Sequence, residues 1–63
     1  MTNYQTAKKE LKETAIWFKT HYPNDKPRIR QGINDRAYFL RGEHRLSPKE
    51  IDLLDNYACT LHS

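Results

Sequence analysis

Four side chains in the 63-residue sequence carry donor atoms suited to a transition metal: Cys59 and His62, three positions apart, with His21 and His44 elsewhere. A spacing of three on a helix can bring two ligands to one zinc ion, but a closed site needs four. The two remaining histidines fit no finger or knuckle spacing. Cys59 therefore reads as a small, partly buried apolar residue and His62 as a group favourable to a helix carboxyl end. Asp52 and Asp55 share a helical face with Lys49 nearby. Acid–base chemistry requires enclosure to perturb such carboxylates, and a chain this short offers little depth, so they read as a solvated face. Ser47 has a structural role at a helix start, and Gly32 and Gly42 lie too far apart for a phosphate-cradling loop. No catalytic residue, cofactor or metal is expected, and the chain reads as a non-enzymatic protein.

Arginines and aromatic rings give a stronger pattern. All five arginines, Arg28, Arg30, Arg36, Arg41 and Arg45, fall in residues 23 to 46, with Tyr38 and Phe39 among them. By segment the net charge of +3 divides into +2 for residues 1 to 22, +3 for 23 to 46 and −2 for 47 to 63. Arginine interleaved with aromatics suits both phosphate contact and protein interfaces. The plainest reading is that these arginines guard an exposed strand edge and pair with Asp35, Glu43 and the acidic final segment. Nucleic-acid contact by the five arginines, as in a small basic transcriptional regulator, is the alternative function, although three acids interrupt the segment and no DNA- or RNA-binding motif is present.

These residues depend on the elements that carry them. Tyr4, Ala7, Leu11, Ala15, Phe18 and Tyr22 recur at spacings of three and four, which predicts a helix over about 3–22, capped by Thr2 or Asn3 and stopped by Pro23. Lys8, Lys9, Lys12 and Lys19 take its wet face, while Ile16 and Trp17 widen the apolar surface toward the carboxyl end. A second helix over about 48–62 is announced by Ser47-Pro48-Lys49-Glu50, which supplies an N-cap hydroxyl, a proline at the first helical position and a glutamate to complete a capping box. Leu46 and Ile51 stand at the positions of a hydrophobic staple, and Ile51, Leu54, Ala58 and Leu61 form the stripe behind them.

Between the helices, Pro23-Asn24-Asp25-Lys26-Pro27 predicts a turn. Residues 36–41, Arg-Ala-Tyr-Phe-Leu-Arg closed by Gly42, are read as a strand with Tyr38 and Leu40 on one face and Ala37 and Phe39 on the other. The competing reading is a short helix from an Asn34 cap to Gly42, with Ile33, Ala37 and Leu40 as its stripe.

Only 37% of the residues are apolar, 30% are charged and mean hydropathy is −1.00, so no stretch of about 20 apolar residues is present to span a bilayer. No signal-like opening is seen and Cys59 is the only cysteine, which points to a reducing cytoplasm. A single domain of this size must offset an ordering cost of about 1.5 kcal/mol per residue, and without disulfides it is expected to rely on association. A lone strand must also pair its backbone groups. The expected fold is mainly α with one short strand: a helix–strand–helix protomer in an intertwined homodimer closed by an intermolecular two-stranded antiparallel ribbon. Leu11, Trp17, Phe18, Tyr22, Tyr38, Phe39, Leu40, Leu54, Tyr57 and Leu61 are the candidate interface residues, forming the dimer core or an aromatic-lined groove for an amphipathic helix of another protein.

The opening MTNYQTAKKELKETAIWFK and the closing LSPKEIDLLDNYACTLHS resemble, over the whole length, the very short early proteins of lambdoid temperate bacteriophages encoded between the exonuclease and excisionase genes. The resemblance implies a helix–strand–helix homodimer acting in the host cytoplasm to favour lytic development over lysogeny through contacts with host or phage proteins. It brings no catalytic residues with it.

Overall fold

Three helices follow one another, each started by a side chain that satisfies free amide hydrogens. In the computed structural model, which describes residues 2–62, helix α1 spans Asn3–His21, α2 Lys26–Glu43 and α3 Pro48–Leu61. The Gln5 amide donates to Thr2 Oγ1 at 3.1 Å to open α1, and the Arg28 amide donates to Asp25 Oδ1 at 3.2 Å to open α2. At α3 the capping box is complete. The Glu50 amide donates to Ser47 Oγ at 3.3 Å and the Ser47 amide to Glu50 Oε1 at 3.0 Å.

The strand expected over residues 36–41 is helix, and no strand occurs among the described residues. Burial shows why. Ile29, Ile33, Ala37 and Leu40 are the buried residues of α2, at spacings of four, four and three, whereas Tyr38 and Phe39 are 69% and 53% exposed. The apparent alternation across residues 37 to 40 therefore corresponds to no buried face. Pro27, read as a turn residue, falls in the first helical turn, where its missing amide hydrogen has no intrahelical acceptor to lose. The competing short helix was correct in kind, but it begins eight residues before Asn34. With its backbone paired internally, the segment needs no partner strand. The intermolecular ribbon and the intertwined homodimer built on it are overturned.

The core is entirely aliphatic. Ala7, Leu11, Ala15, Ile29, Ile33, Ala37, Leu40, Leu46, Leu54 and Ala58 are buried, and among the described residues no polar one is buried with them. Four of these ten are alanines, spread over all three helices. Tyr4, Phe18, Tyr22, Ile51, Tyr57 and Leu61 pack around this centre half-buried. Gly32, in the middle of α2, lies under the Phe18 ring, and a Cβ added there would collide with it.

The link from α2 to α3 is a closed helix terminus. The Leu46 amide donates to the Arg41 carbonyl at 3.0 Å and the Arg45 amide to the Gly42 carbonyl at 3.3 Å, with Arg45 at a φ of 52°. These are the two bonds of a Schellman motif, whose left-handed residue is usually glycine and here is arginine. Leu46 completes it by entering the core, from which it also serves as the staple for α3. Asn3 Nδ2 donates to the His44 carbonyl at 3.2 Å, tying the start of α1 to the end of α2.

Candidate functional site

Three of the aromatic rings outside the aliphatic core gather with His21 at the carboxyl end of α1. Trp17 stacks on His21 at 4.0 Å between centroids and meets Phe18 edge-on at 5.0 Å, and Phe18 lies 5.9 Å from Tyr22. A spacing of four sets Trp17 against His21 and Phe18 against Tyr22, the residue that caps α1, and α2 supplies the rest of the surface. The Arg28 guanidinium covers Tyr22 at 4.7 Å, and that of Arg36 covers Phe39 at 5.0 Å. Arg36 also borders a shallow cleft with Glu10, Glu13, Thr14 and Trp17. It thus joins two exposed rings, Trp17 at 49% and Phe39 at 53%, into one patch across α1 and α2.

The ten candidate interface residues do not form a single groove. Leu11, Leu40 and Leu54 are 0% exposed inside the protomer, where no second chain can reach them. Phe18, Tyr22, Tyr57 and Leu61 pack on that core half-buried. Trp17 and Phe39 share the patch just described. Tyr38 lies apart beneath Arg41, which turns toward Asp55 of α3.

The five arginines do not form a basic strip either. Three are paired with carboxylates: Arg28 with Asp25 at 3.5 Å, Arg36 with Glu10 at 3.8 Å and Arg41 with Asp55 at 4.0 Å. The same three each cover an aromatic ring. Arg30 borders a different hollow with Lys26, Pro27, Gln31, Asn34 and Asp35, and Arg45 is in the α2–α3 link. Helical spacing spreads Arg28, Arg30, Arg36 and Arg41 around α2, so no groove of a nucleic acid meets them together.

The four sidechains considered for zinc are also separated. Cys59 is exposed, His21 lies under Trp17, and His62 lines a hollow with Lys19, Pro23, Lys26 and Ile29. A different set comes together instead: Glu10, Glu43 and His44 place one ligand atom each within 4.8 Å of one another, the only such group of three among the described residues. His44 Nε2 is 3.3 Å from Glu10 Oε1 without a hydrogen bond to it, and Glu10 already faces Arg36. The guanidinium supplies the positive charge that a cation would bring. Sequence reasoning missed this cluster because it joins α1 to the end of an α2 that had been read as a strand.

The chain is a three-helix bundle. No protein-family model, no curated protein and no solved structure matches it. Among the described residues no helix is long and apolar enough to cross a membrane.

Proposed function

We propose that the chain is a non-enzymatic interaction module that captures another protein on its α1–α2 face, with Trp17 and Phe39 as anchors. The observation that carries this reading is the location of these rings. The core closes on aliphatic side chains, while one tryptophan and one phenylalanine stand half out in water on the same face, held by Arg36 between them. Tryptophan and arginine dominate binding energy at interfaces, and large rings on a rigid helix pair lose little entropy on binding. The occupant that fits is an amphipathic helix laid along the α1–α2 cleft, its apolar row on Trp17 and Phe39 and its rim meeting both Arg36 and the carboxylates of Glu10 and Glu13.

An early bacteriophage protein favouring lytic development is the setting we attach to this module. The likeness of the opening and closing segments supports that setting, while the helix–strand–helix fold implied by the same likeness does not hold. The arginine-based nucleic-acid reading is not carried forward, because three of the five groups are already paired and stacked.

Affinity capture with the immobilised chain tests the module. Trp17→Ala and Phe39→Ala should each weaken retention of the partner by about 2 kcal/mol or more, with melting unchanged, while Tyr38→Ala should leave it intact. Trp17 is the only tryptophan, so its emission should shift to the blue when the partner covers it. Equal retention by all four proteins would end this reading. A molar mass of twice 7.5 kDa that falls on Trp17→Ala would make the partner a second copy of the chain.

A further inference from the structure

Every ion pair among the described residues uses an arginine or a histidine. None of the lysines forms one, so the unpaired positive charge among the described residues is that of the lysines together with Arg30 and Arg45. Three of these lysines, Lys8, Lys12 and Lys19, fall with Ile16 at offsets of zero, four, eleven and eight along α1, which draws a single stripe about 16 Å long. The stripe faces the α3 side of the bundle. Lys8 Nζ lies 4.8 Å above the Tyr57 ring, and Lys19 borders the hollow containing His62. The acids of α1 are on its other side, where Glu10 and Glu13 border the Trp17 cleft. Nor does any α3 acid pair with a lysine of the stripe: Glu50 is held in its capping box, Asp55 is turned to Arg41, and Asp52 forms no ion pair.

Two apolar side chains interrupt and flank these charges. Ile16 is 56% exposed within the stripe, and Leu53, one turn before Tyr57 on α3, is 44% exposed. We infer that this stripe is a second docking surface, for an acidic amphipathic helix of a partner protein. Charge complementarity sets the sign of the occupant: a row of carboxylates at helical spacing meets Lys8, Lys12 and Lys19, and an apolar row beside it covers Ile16 and Leu53. The two exposed aliphatic groups favour a polypeptide over a nucleic acid, since a phosphate backbone has nothing to place on them. The surface is independent of the Trp17 and Phe39 patch, so the bundle has two different faces for two segments.

A labelled synthetic peptide about five helical turns long, with a glutamate row beside a leucine row, provides the probe, followed by fluorescence anisotropy with the intact chain at about 50 mM salt. Binding should weaken about tenfold on Lys12→Glu and severalfold on Ile16→Ser, with Lys12→Gln intermediate and Trp17→Ala without effect. All three positions changed are exposed, and circular dichroism checks that each variant is folded. Failure of the peptide to bind, or equal binding by Lys12→Glu, overturns the inference. Preferential binding of a random-sequence DNA duplex that ignores Ile16→Ser and collapses with salt would also overturn it, by assigning the lysines to phosphate.

Discussion

Helices α2 and α3 enclose the same core yet are specified in different ways. Helix α3 carries its own instructions: a reciprocal capping box, a proline at the first position and a staple from Leu46 to Ile51. Helix α2 has glycines at 32 and 42, the β-branched Ile29 and Ile33 and the poor helix formers Asn34 and Asp35, all of which weaken an isolated helix. It forms because Ile29, Ile33, Ala37 and Leu40 are buried against α1 and α3. A local signal fixes one helix, and tertiary packing fixes the other.

The sharpest way to break this comparison is in the core. Leu40→Ala in α2 and Leu54→Ala in α3 remove fully buried side chains and should each cost about 2–5 kcal/mol, measured by urea unfolding. If α2 is held by packing, Leu40→Ala should also lower native helical content selectively in residues 26–43, as read by amide exchange. Loss spread evenly over the three helices would contradict that dependence.

Gly32→Ala is the next largest effect and reverses the usual expectation. In a free helix the change gains about 1 kcal/mol. Here the new methyl meets the Phe18 ring, and overpacking of about 1–3 kcal/mol outweighs the gain. In a Phe18→Leu background the same change should become stabilising, and a double-mutant cycle by thermal melting measures the coupling.

The caps sharpen the contrast further. Ser47→Ala should destabilise by about 1 kcal/mol, and it should also melt a peptide of residues 46–62, whereas a peptide of residues 25–44 should have little helix to lose on Asp25→Ala. Peptide circular dichroism decides it. The smallest effect is a gain: Arg45→Gly at the left-handed residue should stabilise the chain by about 0.5–1 kcal/mol, visible as a small rise in Tm.

The same contrast accounts for what the sequence made legible. The helices expected over 3–22 and 48–62 occur as Asn3–His21 and Pro48–Leu61, since caps and an unbroken stripe mark both. Helix α2 was hidden by Pro27, which looks like the end of a turn but stands inside a first turn, and by the apolar run of residues 37 to 40, too short to separate strand from helix. Of the candidate site, the residue types were informative while the grouping was not. Trp17 and Phe39 are linked only through Arg36, which lines the Trp17 cleft and covers the Phe39 ring, and that link needs α2 to be a helix packed on α1. Leu11, Leu40 and Leu54 were assigned to an interface because a helical middle segment, which completes the core within one chain, had been read as extended. The lysine stripe was visible as a wet face, but its lack of ionic partners required the positions of the carboxylates.

The aliphatic make-up of the core has one more consequence. The side chains that close the interior are aliphatic, so all seven aromatic side chains lie at the rim, half-buried or exposed. The bundle can therefore exchange its exposed rings, Trp17, Tyr38 and Phe39, for smaller polar groups without reopening its centre. A chain built this way can change what it holds on to while keeping its shape.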